Sequence, residues 1–228
     1  MRLQLPHTPL LLLLLLLALP FEANALSAAT CHCFTERSYN PEKPTIADPY
    51  FLATTQNSFF AAAFGVEKRS IVMQKQKGVA ADDLWIAHWV ASRTAASAED
   101  LLQKKGTWKE AIAPLSPSAR KMGPRFFEAL NTRHPSAPRL AEAVVDQLLL
   151  GHKLMDETEL KSLRKAAASS QEIILAALLA AKTRQPASRI LQQAKGTDGS
   201  WGELLMRAGI DPSEMQAEFA ALLKKGKG

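Results

Sequence analysis

The feature that most constrains this chain is a stretch of sequence that occurs twice. Residues 169–210 read SSQEIILAALLAAKTRQPASRILQQAKGTDGSWGELLMRAGI, and residues 81–115 read ADDLWIAHWVASRTAASAEDLLQKKGTWKEAIAPL. Pairing residue numbers that differ by 89 gives these identities: Ala87 with Ala176, Ala91 with Ala180, Thr94 with Thr183, Ala98 with Ala187, Leu102 with Leu191, and Gln103 with Gln192. A short insertion, Thr197–Gly199, then brings Trp108 onto Trp201. The shared order of helix, turn, helix, glycine and Ser/Thr-Trp-x-Glu predicts a tandem structural repeat. The alternative is two alanine-rich amphipathic helices that are alike in composition only.

Capping motifs predict where several helices begin. Three of them are capping boxes, in which a hydroxyl accepts from the third backbone N–H and a glutamate reaches back to the cap: Thr107 with Glu110, Ser169 with Glu172, and Ser200 with Glu203. Asp48 and Asp211 are each followed by proline, which suits a first helical position, so each aspartate is expected to cap its own helix. We therefore expect helix starts near 108, 170, 201 and 212.

The repeat extends towards the N-terminus of each copy. Helices are predicted near 50–64 and 139–150, each followed by a charged helix, at about 67–77 and about 156–166. No strand-like alternation of polar and apolar residues is convincing, and Ala, Leu and Ile dominate the expected core. The predicted fold class is all-α, with two tandem arrays of short helices. The predicted segments are a signal peptide (1–25), an extended segment (26–49), repeat 1 (50–115), a proline-containing connector (116–138), and repeat 2 with a C-terminal helix and basic tail (139–228).

Residues 1–25 have the three-part build of a secretory signal peptide. Arg2 gives a positive start, an almost pure leucine run extends to Leu19, and Ala23-Asn24-Ala25 is a small-x-small cleavage site. The run is shorter than the roughly 20 apolar residues that span a bilayer. An uncleaved anchor and a lipid on Cys31 are the alternatives. The expected location is therefore outside the cytoplasm, periplasmic or extracellular.

Both cysteines lie in Cys31-His32-Cys33, just after that cleavage site. Four interpretations remain open: a strained internal disulfide, a bridge that gives a disulfide-linked homodimer, a soft metal site for zinc or copper(I), and an exposed tail without a role. A metal would need a fourth ligand from elsewhere, and the candidates are His88, His134, His152 or another chain. Because the segment is exposed and flanked by prolines, we expect an oxidised pair and no metal.

Aromatic residues offer two further site hypotheses. A ligand groove would use Phe51, Phe59, Phe60 and Phe64, and an aromatic cage would use Trp85, Trp89 and Trp108 with His88 beside them. Helical spacing favours core packing for both groups. The sequence contains no H-E-x-x-H, P-loop or G-x-G-x-x-G motif, so no catalytic residue and no cofactor is predicted, and an enzyme is the less favoured interpretation.

The net charge of +6 and the basic pI near 9.4 restrict the partners. A helix-turn-helix DNA reader would suit the charge, but export argues against nucleic acid. The predicted function is an exported, non-enzymatic helical binding or scaffolding module of the cell envelope. Its partner would be a protein or an anionic envelope polymer, and contact with a membrane surface stays open. The alternative function is thiol-redox or metal handling through the Cys-His-Cys segment.

The blocks Gly78–Leu84 and Gly106–Glu110, with Thr94 and their counterparts in the second copy, look like small helical modules of uncharacterised exported bacterial proteins. The resemblance covers about two-thirds of the expected mature chain. It implies a bacterial host and transfers no activity or functional residue.

Cleavage after Ala25 generates the first prediction. Protein recovered from an envelope or secreted fraction should begin at Leu26, as read by N-terminal sequencing or intact mass. A full-length chain found in the cytosol would contradict the signal peptide.

Overall fold

The computed structural model describes residues 34–115 and 119–226, and side chains at 119 and 120 are not described. Within these ranges the chain contains helices and no strands, which confirms the all-α class. The helices are α1 (Asp48–Phe64), α2 (Lys68–Gln76), α3 (Ala81–Ala91), α4 (Ala98–Gln103), α5 (Trp108–Ile112), α6 (Ala119–Met122), α7 (Pro124–Leu130), α8 (Ala137–Gly151), α9 (Glu157–Lys165), α10 (Ser170–Thr183), α11 (Ala187–Ala194), α12 (Trp201–Arg207) and α13 (Met215–Lys225). A 3-10 turn, Ala113–Leu115, extends α5.

The predicted caps form at three helix starts. Complete capping boxes join Thr107 with Glu110 and Ser169 with Glu172. Ser200 caps α12 by accepting from the Glu203 N–H, 3.1 Å, but the Glu203 carboxylate pairs with Arg207 instead of returning to the cap. The starts at 108, 170 and 201 are therefore as predicted.

Two predicted caps are wrong. Helix α13 begins at Met215 and not near 212, because the Asp211 carboxylate accepts from the N–H and hydroxyl of Ser213 and closes a turn there. Asp48, expected to cap its own helix, instead accepts from the N–H of Gly202 in the first turn of α12, 3.0 Å. Burial raises the pKa of Asp48, while backbone hydrogen bonds from Gly202 and Trp201 oppose the rise.

Helix α1 lies at the centre of the molecule. It packs against α13 and α10, and also against α2, α12 and α3. The ring centroid of Phe59 in α1 lies 5.1 Å from that of Phe219 in α13, the last helix. The Thr55 hydroxyl contacts the sulfur of Met215 at 3.1 Å. The two ends of the described chain are thus held together in one core.

Helix α8 occupies a matching place on the other side. It packs against α3 and against α7. We call residues 48–115 the first half and residues 137–226 the second half. The first helix of each half therefore packs against the third helix of the other half. One continuous cluster of buried apolar side chains spans both halves.

The helix starts repeat along the chain. Helices α1, α2, α3 and α4 begin at residues 48, 68, 81 and 98, and helices α8, α9, α10 and α11 begin at 137, 157, 170 and 187. Each pair differs by 89, which is the spacing of the sequence match. Thr94 and Thr183 also make the same hydrogen bond, each to the carbonyl four residues earlier.

Polar pairs buried between helices follow the same spacing. The Lys75 ammonium donates to the Oδ1 of Asn57, which is 1% exposed, at 2.7 Å. The Arg164 guanidinium donates to the Oδ1 of Asp146, which is 4% exposed, at 2.6 Å. Both pairs fix the second helix of a half to its first helix, because a buried polar group must find a partner.

The segment before α1 runs over the outside of α1 and α12. The ring of Phe34 meets that of Tyr50 edge-on, with centroids 6.1 Å apart. Tyr39 packs so closely on Gly202 that a Cβ there would lie 3.0 Å from the tyrosine ring and 2.6 Å from Phe51. The predicted extended segment is therefore packed against the helices from residue 34 onwards. Among the helices described, none has the length and apolar character needed to cross a bilayer.

The buried Asp146–Arg164 pair generates a stability prediction. Asp146→Ala leaves the guanidinium without its buried carboxylate, so the free energy of unfolding should fall by about 3 kcal/mol. Glu142→Ala is the matched control, because that carboxylate lies 3.8 Å from the same guanidinium and is 54% exposed. The control should cost less than about 1 kcal/mol. Urea unfolding measures both, and equal losses would contradict the assignment.

Candidate functional site

The proposed metal site, Cys31-His32-Cys33, lies outside the described residues. Residues 34–115 and 119–226 contain no group of three or more His, Cys, Asp or Glu side chains arranged to hold a metal. Among the described candidates for a fourth ligand, the Nδ1 of His152 lies 3.2 Å from the carbonyl of Leu223 and joins α8 to α13. The interpretations of the cysteine segment all stay predictions.

The aromatic residues proposed as a groove or cage are mostly core. Phe51, Phe59 and Phe60 are at most 2% exposed, and so are Trp85 and Trp89. The indole of Trp89 donates to the Met122 carbonyl at 3.0 Å. Trp108 stands apart from the other two tryptophans in burial, because it is only half-buried. Core packing is therefore the right interpretation for the phenylalanines named here and for two of the three tryptophans.

His88 lies against aromatic rings at the edge of this core. Its imidazole is 5.0 Å from the ring of Phe60 and 5.7 Å from that of Phe64, measured between centroids. Burial lowers the pKa of His88, and the charge of Glu99 opposes this. The surroundings of His88 therefore favour the neutral imidazole.

A cavity of about 550 Å³ lies between the two halves. Its walls come from the start of α3, the start of α10, α8 and the ends of α2 and α9. The charged residues that line it are Lys75, Asp82, Glu142 and Arg164. Burial raises the pKa of Asp82, the neighbouring Asp83 adds to the rise, and Lys75 opposes it.

The polar side chains of this inter-half cavity bind one another. Arg164 donates to Asp146 and to the hydroxyl of Ser170, 3.0 Å. Its Nη1 also donates to the carbonyl of Ala168 at 3.2 Å. The amide of Gln171 donates to the Oε1 of Gln56, 2.9 Å, which joins the two halves. These groups hold helices together, which is the physical role that their geometry supports.

A second cavity, of about 390 Å³, lies within the first half and contains the half-buried tryptophan. We call it the Trp108 cleft. It is formed where the turn between α2 and α3 faces the end of α4 and the start of α5. Its lining residues are Lys77, Gly78, Val79, Ala80, Asp83, Leu101, Leu102, Lys104, Gly106, Thr107, Trp108 and Ala111. The indole N–H of Trp108 donates to the Oδ1 of Asp83 at 2.7 Å, which fixes the ring.

The Trp108 cleft combines a fixed aromatic side chain with two cationic side chains. Lys77 and Lys104 are both exposed and line the cavity from the ends of α2 and α4. The Lys104 ammonium donates to the carbonyl of Ala111 at 3.2 Å, which holds it over α5. Leu101, 2% exposed, gives an apolar floor. Sizes of about 300–1,000 Å³ with a few placed polar groups are typical of small-ligand sites.

Sequence reasoning named Trp108 as part of a cage and did not connect it with Lys77 or Lys104. The structure places these three residues around one cavity, which their separation along the chain did not indicate. The usable signal was that Trp108 and Asp83 both lie in the first turn of a helix, where each can face the turn before it. A scan against protein-family models and searches of curated proteins and of solved structures find no match to this chain.

The packing of His88 generates a pH prediction. Its folded-state pKa lies below the unfolded value of 6.5, so the unfolded chain takes up the proton first as pH falls. The stability that His88 contributes is complete above 6.5 and is lost as pH falls through the folded pKa. Wild type should therefore lose more stability between pH 7.5 and 5.5 than His88→Gln does. Urea unfolding at both values measures this, and parallel losses would contradict it.

Proposed function

We propose that this chain is an exported, non-enzymatic helical binding module of the cell envelope, built by internal duplication, and that its Trp108 cleft binds an anionic envelope polymer. Export and cleavage after Ala25 are part of the proposal, and they rest on the leucine run and the small-x-small site.

Three observations support the duplication. Four helix starts recur at a spacing of 89, a buried polar pair recurs at that spacing, and so does a threonine hydrogen bond. Composition alone would not reproduce helix boundaries or hydrogen-bond partners. The packing of each first helix against the other half is what a duplicated, two-fold arrangement would give.

The observation that carries the binding proposal is the pair of lysines around Trp108. Lys77 and Lys104 come from different helices and line the same small cavity beside a fixed indole. Asp83 is the acidic side chain in that wall, and it is held by the indole N–H. The whole chain is also positive, with a net charge of +6, so an anionic polymer would be attracted from a distance.

The lysine pair generates the binding prediction. The mature chain should bind polyphosphate and polygalacturonate but not neutral dextran, more weakly as salt is raised. Lys77→Ala with Lys104→Ala should weaken both polyanions roughly thirtyfold at low salt, since each contact at 4 Å in water contributes about 1 kcal/mol. Titration calorimetry measures the affinities.

Lys43→Ala with Lys165→Ala is the matched control, because it removes the same charge from exposed lysines that do not line the cleft. The control should weaken binding by no more than about threefold, through net charge alone. Equal losses in the two double variants, or binding of an acidic protein but neither polyanion, would contradict the proposal. Thermal melts check that all variants are folded.

A further inference from the structure

We propose that the Trp108 cleft binds one uronic acid unit of the polymer, with the sugar ring against the indole and the carboxylate beside Lys77 and Lys104. This inference rests on the proposed function and deepens it, because it names the chemical class of the unit that is recognised. Two lysines alone would bind any anion. The fixed indole adds an aromatic face that a sugar ring can pack against and a phosphate cannot.

The indole is positioned before any ligand arrives. Its N–H donates to Asp83 in the first turn of α3, and Trp108 itself is the first residue of α5, behind the complete Thr107 capping box. A ring held in this way loses little conformational freedom on binding. The C–H face of a pyranose ring is apolar, so its contact with an aromatic face removes apolar surface from water.

The size and polarity of the cleft suit one sugar unit and its charge. A volume of about 390 Å³ is at the small end of ligand sites. The floor of Leu101 and Ala111 is buried and apolar, with 2% and 8% exposure. The lysines line the same cavity, where a carboxylate on the ring can reach an ammonium group.

The second half does not repeat these features. At the spacing of 89, Lys77 corresponds to Ala166 and Lys104 to Gln193. Trp201, the counterpart of Trp108, is 4% exposed. The sugar site therefore belongs to the first half, and a stoichiometry of one unit per chain is expected.

Substitutions at Asp83 distinguish recognition of the sugar ring from attraction of the negative charge. Asp83→Ala removes a negative charge, which favours every anion, but it also releases the indole. We expect it to bind tripolyphosphate about twofold more tightly and tetragalacturonate about fivefold more weakly. Asp83→Asn is the matched control, because its amide oxygen still accepts the indole N–H while the charge is gone. This control should bind both ligands about twofold more tightly.

Trp108→Ala is the second variant, and it keeps the test decisive if Asp83→Ala does not fold. It should weaken tetragalacturonate about tenfold and tripolyphosphate less than twofold. Titration calorimetry of the mature chain gives all these affinities, with maltotetraose as the neutral sugar.

The outcomes distinguish this inference from the proposed function. The sugar site is wrong, and polyanion binding stands, if removing the lysine pair weakens both anions but Trp108→Ala weakens them equally. The same conclusion follows if Asp83→Ala and Asp83→Asn have the same affinity for tetragalacturonate. If neither anion binds wild type, the proposed function itself is wrong.

Discussion

The packing of α1 against the last helix and against α10 is the constraint on which the rest of the structure depends. The ring contact between Phe59 and Phe219 joins elements from opposite ends of the described chain. Because the first helix of each half lies against the other half, neither half buries its apolar face without its partner. The two halves should therefore unfold together as one cooperative unit.

Sequence reasoning correctly predicted the all-α class, most helix starts and two of the three capping boxes, because these features depend on residues three or four apart. It placed the start of α13 three residues too early, because the Asp211 carboxylate accepts from the N–H and the hydroxyl of Ser213 and closes a turn instead of capping a helix. Asp48 was assigned to its own helix and caps α12 instead. Contacts of this kind join residues more than 150 positions apart, and no local pattern encodes them.

The difference between Trp108 and Trp201 explains why the candidate site could not be predicted from the repeat. The insertion in the second half folds back tightly, since a Cβ at Gly199 would lie 1.9 Å from the carbonyl oxygen of Gln193. Ser200 is therefore fully buried, with 0% exposure, and the adjacent Trp201 is also buried in the core. In the first half the shorter link, residues 104–107, stays exposed. Its tryptophan is held at the surface by Asp83 and remains half-buried.

The two halves differ at the surface around Trp108 and Trp201. In the second half Trp201 is 4% exposed, and an ion pair between Lys195 and Glu172 at 3.1 Å ties α10 to the residue after α11. In the first half the corresponding helices leave a cleft, and the lysines there line it without closing it. The buried Asn57 and Asp146 pairs join the first and second helices in both halves, whereas the surfaces around the two tryptophans differ. The Trp108 cleft therefore presents an aromatic side chain fixed by a hydrogen bond, and two lysines, on a helical scaffold.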